Sequence, residues 1–239
     1  EARRAARLFA EVLLGLLVAF FASAFLLAGL EVLWPEGRVH RMARFCFFLM
    51  LVTAYTAAAV GVMRRGAARD FQALRVITGM DDEDWRRWEA RFLDRRATAV
   101  AAGIGLLVGI AIDQIGTLAA PERRAGPGWT FYTIWSALLN LGLFGCLGLL
   151  ARWSILEIRA LRAIGRRARV SLLDRETLAP FVRTGMRSAL LWLVGSSLAT
   201  SLLVDGNAPW LVLLVLAATI GLAIAALLLP ALLAWETRV

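Results

Sequence analysis

Six polar side chains lie deep within long apolar runs, where polar groups are costly and therefore candidates for function. Asn140 is the deepest, near the centre of its run, and hydroxyls lie at similar depth on two other runs: Thr53, Thr56, Ser196, Ser197 and Thr200. If these groups converge, they would replace part of the hydration shell of an ion or small solute. In the alternative interpretation, they only hydrogen-bond to neighbouring helices or to their own backbone. The pattern favours this second interpretation.

A second candidate site lies about one turn from the end of another apolar run, at Asp113 and Gln114. Asp113 is the one acid that we place inside a run and away from its last residues. It would bind a cation or carry a proton. A simpler expectation is an ion pair with Arg41 or Arg44, because charges inside a membrane usually find partners.

Metal and cofactor chemistry is not indicated. His40 is the single histidine, and a zinc site needs three or four ligands. Acidic residues cluster at positions 81–84, but the start of a helix explains that run better than a metal site does. We expect no cofactor and no enzyme activity, with a lipid-modifying enzyme as a distant alternative.

Six apolar stretches determine the fold class, because about 20 apolar residues span the hydrocarbon core of a bilayer. They cover about 12–33, 43–63, 98–118, 130–152, 188–204 and 210–229. The stretches are apolar on all sides, which excludes the alternating pattern of a membrane β-barrel. We therefore predict an all-α transmembrane bundle with about six spans, forming a single integral membrane domain over residues 1–239.

Small residues indicate how these helices pack, because they let helix backbones approach closely in lipid. Gly105 and Gly109 form a GxxxG pair, and further glycines lie in the fourth and sixth stretches: Gly145, Gly148 and Gly221. These surfaces serve one bundle or contacts between subunits of a homo-oligomer.

The arginines predict the orientation. All 27 basic residues are arginine, as in proteins of GC-rich bacteria, and nine lie in each of the two long connections, 64–97 and 152–187. Positively charged loops stay in the cytoplasm, so we expect a bacterial inner-membrane protein with both termini cytoplasmic. The arginines would bind anionic lipid head groups rather than nucleic acid.

Both long connections resemble helical hairpins, at about 64–97 and 153–187, that extend spans 2/3 and 4/5. They share a pattern at constant offset, since Asp70, Ala73, Leu74 and Arg75 recur as Glu157, Ala160, Leu161 and Arg162. Because both units would cross the membrane in the same direction, the chain would contain a parallel repeat. The matched stretch is short, so chance similarity remains the alternative.

The first hairpin carries an apolar stripe on each arm. Phe71 and Leu74 lie on the incoming helix, and Trp85, Trp88 and Phe92 follow at helical spacing on the returning one. We predict that the two stripes pack into a small cytoplasmic core. Alternatively, the tryptophans lie in the bilayer surface.

Two functions follow from these patterns. The first is an oligomeric channel- or transporter-like conduit for an ion or small solute, which rests on the polar residues near the midplane. The second is a non-transporting scaffold or regulatory subunit whose cytoplasmic hairpins dock a protein partner. The sequence carries no motif that names a solute or a partner.

Overall fold

The computed structural model describes residues 2–28, 38–78, 81–119, 127–165 and 175–203. These residues are helical throughout, apart from single capping positions between helices. The helices are α1 (Ala2–Ser23), which continues as a π-helical turn (Ala24–Ala28), α2 (Arg38–Thr78), α3 (Asp82–Leu93), α4 (Arg95–Ala119), α5 (Pro127–Gly165) and α6 (Arg175–Leu203). The expectation of an all-α protein is confirmed over these residues.

Four stretches of the described helices are long and apolar enough to cross a membrane: Arg3–Leu26, Ala43–Arg75, Asp82–Ile112 and Phe131–Ala163. They contain or overlap the first four predicted spans, and the chain is a membrane protein. Residues 188–203 of the fifth predicted span lie in α6, which is not among these four. The sixth, at 210–229 and including Gly221, lies outside the described residues.

The helices group into two compact units. Unit 1 comprises Glu1–Val60 and Ala99–Leu149, and unit 2 comprises Gly61–Thr98 and Leu150–Val239. The long helices α2 and α5 each contribute residues to both units. At about 1.5 Å per residue, the 41 residues of α2 extend roughly 60 Å, about twice the thickness of the hydrocarbon core.

In unit 1, aromatic side chains from α1, α2 and α5 pack around Phe20, which is almost fully buried. Its ring lies 5.4 Å from those of Phe47 and Phe131 and 5.5 Å from that of Trp135, measured between centroids. The Trp135 indole donates a hydrogen bond of 2.9 Å to the Ser23 hydroxyl. Edge-to-face rings add specific geometry to apolar burial, so this cluster fixes α1 against α2 and α5.

Glycines bring α4 and α5 into backbone contact within unit 1. A Cβ built on Gly105 would overlap the carbonyl oxygen of Phe144, and one built on Gly148 would overlap that of Ala101. At Gly109, a Cβ would lie 3.1 Å from the Phe144 Cβ. Only glycine permits helix axes to approach this closely, which is the role that small residues have in membrane helices.

Unit 2 contains a hydrophobic cluster in which α2, α3 and α5 meet. Its buried members are Phe71, Leu74, Trp85, Ala160 and Leu161, with Trp88 and Phe92 packed against them. The Phe71 ring lies 4.8 Å from Trp85 and 4.9 Å from Phe92. The structure thus brings together all five residues of the predicted hairpin core. The cluster also includes Ala160 and Leu161 on α5, which correspond to Ala73 and Leu74 in the sequence repeat.

Two aspartates define the ends of α3. Asp81 caps its N-terminus by accepting a hydrogen bond of 2.8 Å from the Asp84 amide, as acidic and small polar residues commonly do. Asp94 ends α3 with extended backbone and caps α4 through a 3.0 Å bond from the Ala97 amide. Arg152 on α5 donates to the carbonyl oxygens of Arg91 and Asp94, which satisfies acceptors at this break.

Candidate functional site

The hydroxyls of unit 1 that the sequence predicts near the midplane bond to backbone. Thr53 is buried and donates to the carbonyl of Leu49 at 2.7 Å, with a longer 3.4 Å contact to the Leu139 carbonyl on α5. Thr56 is buried and donates to the carbonyl of Val52 at 2.7 Å. These hydroxyls satisfy their own helix, and Thr53 also joins α2 to α5. Asn140 is half-buried on α5.

The serines of α6 belong to unit 2 and also bond to their own helix. Ser196 and Ser197 both donate to the carbonyl of Leu193, at 2.9 and 2.8 Å. The side chains of Thr200 and Asp113 lie outside the described residues, and Gln114 is exposed. Gly145 lies on α5, where a Cβ would touch Leu106 at 3.4 Å.

The densest polar contact in the described chain is a buried ion triad in unit 2. Arg187 on α6 donates from Nη1 to Oδ2 of Asp70 on α2, at 2.6 Å, and from Nη2 to Oε1 of Glu157 on α5. Thr184, one turn before Arg187, lies 3.4 Å from the same Asp70 oxygen. One guanidinium therefore joins three helices through charge-assisted hydrogen bonds.

This triad is well shielded from solvent. The side chains of Asp70, Glu157 and Arg187 are 3%, 8% and 11% exposed. Removing charges from water is costly, and only good geometry and full hydrogen bonding repay that cost. The bonding here is incomplete, because Asp70 Oδ1 and Arg187 Nε are buried without a hydrogen-bond partner.

Gly66 on α2 makes room for the guanidinium. A Cβ built on this glycine would overlap the Nη1 and Cζ atoms of Arg187. The guanidinium is held by two carboxylates, so it is not free to move aside. The site therefore depends on a glycine as well as on its three charged members.

Sequence reasoning did not identify this triad, although part of its signal was present. Asp70 and Glu157 are equivalent positions in the repeat of the two long connections, and the structure shows that they bind one arginine. Arg187 gave no signal of its own, since it is one of nine arginines in its connection. Each of these acids lies at the same position of the repeat, beside the same Ala-Leu pair. That pattern would have suggested that both acids bind one cationic side chain.

The charged residues of α3 are arranged differently. Asp82 pairs with Arg75, and Arg87 pairs with Glu83 and lies 3.6 Å from Asp84. These pairs are largely exposed, and surface pairs of this kind contribute little to stability. The outer face of α3 is thus a mixed-charge surface, while its inner face packs into the aromatic cluster.

Among the described residues, no group of three histidine, cysteine or acidic side chains is placed to hold a metal ion. The chain matches no protein-family model, and no significant match was found among the curated proteins or the solved structures.

Proposed function

We propose that this chain is a multi-pass protein of the bacterial inner membrane and serves as a scaffold or regulatory subunit. In this proposal the two hairpins, at about 64–97 and 153–187, lie at the cytoplasmic face and dock a protein partner. The nine arginines in each long connection support this orientation through the positive-inside rule. With six spans, both termini would lie in the cytoplasm.

The observation that carries the proposal is the internal packing of unit 2. Connecting loops need no hydrophobic core, yet these two connections share an aromatic cluster and a buried ion triad. Such packing stabilises a fixed surface. Binding to a fixed surface loses less conformational entropy than binding to a flexible loop, because the surface is already ordered.

The exposed side chains of unit 2 suit two kinds of contact. Arg64 and Arg65 follow the second predicted span, and Arg95 and Arg96 precede the third; all four are exposed. At those positions arginines would bind anionic lipid head groups. The outer face of α3 carries both signs of charge and would contact a cytoplasmic protein of complementary pattern.

Photo-crosslinking from α3 in living cells tests the docking role. A photoreactive amino acid in place of Glu89, which is exposed on α3, is expected to give a discrete adduct with a cytoplasmic protein. The matched control replaces Leu107, which is 67% exposed on the apolar helix α4 and is expected to meet lipid. The docking proposal fails if position 89 gives no protein adduct, or the same adducts as position 107.

A conduit is the second candidate, and Asn140 is the observation that favours it. Its side chain is half-buried in the predicted fourth span, and an asparagine amide offers both donors and an acceptor to a passing solute. Thr53 and Thr56 contribute less, because their hydroxyls already bond to backbone. The exposed apolar face of α4 would serve the homo-oligomer that this candidate requires.

Flux through proteoliposomes tests the conduit. If Asn140 lines a path, Asn140→Leu is expected to abolish or alter ion flux while the protein still folds and assembles. If Asn140 only joins helices, the same change should cost about 0.6 kcal/mol of stability, an average for such bonds. Two results would contradict the role of Asn140 in a conduit. One is wild-type flux no higher than in empty liposomes, and the other is equal flux in wild type and the variant.

A further inference from the structure

The ion triad contains two carboxyl groups and only one guanidinium. If Asp70 and Glu157 were both ionised, the buried cluster would carry a net charge of −1. An uncompensated charge in a low-dielectric site is strongly disfavoured, and titratable groups usually relieve it by changing protonation. Two carboxyl groups that share a site rarely both ionise, since each disfavours the charge on the other.

The surrounding charges do not supply the missing compensation. Arg69, next to Asp70 on α2, approaches Asp70 Oδ1 only at 3.8 Å, and its side chain is 50% exposed. Water screens such a contact, so it offsets little of the buried charge. In the first turn of α3, Asp82 pairs with Arg75, and Glu83 and Asp84 lie beside Arg87. On α6, Thr184 adds a neutral hydroxyl beside Asp70.

An oxygen of the triad also lacks a donor. Asp70 Oδ1 is buried and accepts no hydrogen bond, although its side chain is only 3% exposed. An ionised carboxylate in a buried site normally engages both oxygens, because an unsatisfied charged acceptor is costly. The donors present in the triad therefore do not fully satisfy two ionised carboxylates. The geometry and the charge count therefore lead to the same conclusion.

We infer that the Asp70–Arg187–Glu157 triad is a proton-binding site that holds one proton at neutral pH. The proton comes from water and forms one O–H bond on a carboxylate oxygen of the triad. The occupied site is neutral, with one carboxylate, one carboxylic acid and one guanidinium. Loss of the proton leaves a net negative charge where α2, α5 and α6 meet. This inference does not depend on whether the protein docks a partner or conducts a solute.

Infrared spectroscopy of the full-length protein in detergent tests the inference directly. Wild type is expected to show the carbonyl stretch of a buried carboxylic acid at neutral pH, shifting in D2O and disappearing as the pH is raised. Either Glu157→Gln or Asp70→Asn should remove this band, because each leaves one carboxylate to pair with one guanidinium. The matched control, Glu83→Gln, removes an exposed acid of α3 and should leave the band unchanged.

A second measurement follows the folding equilibrium of the same proteins. Above the ordinary carboxyl range the folded wild type holds one more proton than the unfolded chain, so its stability should fall as pH rises. The folding constant should drop by up to about tenfold per pH unit relative to Glu157→Gln, in which this dependence is absent.

Three results would overturn the proton site. One is the absence of the acid band in wild type at neutral pH. Another is its persistence in both Glu157→Gln and Asp70→Asn. The third is a wild-type stability that responds to the concentration of a metal cation but not to pH, since that would mean that a cation balances the charge. If one variant does not fold, the other variant and the pH dependence of wild type still decide the question.

Discussion

Replacing Arg187 with methionine is expected to destabilise the protein by about 3–5 kcal/mol, because the change strands two buried carboxyl groups. Methionine has a similar length and a flexible chain that fills irregular space, so lost volume contributes little. The loss of stability comes instead from Asp70 and Glu157, which lose the guanidinium that donates to both. Their side chains are only 3% and 8% exposed, so water cannot replace that donor. Unfolding by SDS titration in mixed micelles measures the effect.

Arg183→Met is the matched control for this prediction. Arg183 lies one turn before Arg187 on α6, and its side chain is exposed. A surface substitution of this kind should change stability by no more than about 0.5 kcal/mol. Equal stability of the Arg187 and Arg183 variants would show that the triad does not hold the helices together.

Neutralising the acids should rescue the Arg187 variant in part. Asp70→Asn with Glu157→Gln removes the stranded carboxyl groups, so the triple variant is expected to be more stable than Arg187→Met alone. Non-additivity of this kind is typical of residues that act in one network. An additive loss instead would mean that Arg187 contributes by packing, as long arginine side chains sometimes do.

The helical class was predictable from the sequence because apolar runs of spanning length have few alternatives in lipid. Local geometry was predictable as well. Phe71 and Leu74 fall one turn apart, and Trp85, Trp88 and Phe92 recur at helical spacing, so each set must share a helix face. Asp81 precedes a run of acids, which is the usual composition at a helix start. The structure places these residues accordingly.

The triad was not predictable in the same way, because it depends on how three helices are rotated against one another. Arg187 is separated from Asp70 by 117 residues and from Glu157 by 30. No local pattern selects it from the other arginines of its connection. The repeat pointed to Asp70 and Glu157 as equivalent, but a repeat does not say which third residue two equivalents contact.

The break between α3 and α4 was also missed, for a local reason. Helix ends are usually marked by glycine or proline, and the stretch around Asp94 contains neither. Asp94 ends one helix and caps the next through its own side chain, helped by Arg152 from α5. That arginine is 58 residues away from Asp94, so the tertiary contribution was not visible in the local sequence.

Gly105→Ala is expected to destabilise unit 1 by about 2–3 kcal/mol, because its new Cβ would overlap the backbone carbonyl of Phe144. Backbone cannot move aside as a flexible side chain can, so α4 and α5 must separate. Alanine is the better helix former by about 0.8–1 kcal/mol, which offsets only part of this loss. SDS titration again measures the change in the free energy of unfolding.

Gly103→Ala provides the matched control on the same helix. A Cβ at Gly103 would have no atom within 4 Å, so this variant keeps the gain in helix propensity without the overlap. It should be as stable as wild type or more stable by up to about 1 kcal/mol. The two glycines are only two positions apart on the same helix. The comparison therefore separates the effect of close contact between α4 and α5 from any general effect of removing a glycine. Equal effects of the two substitutions would mean that α4 and α5 do not meet at Gly105.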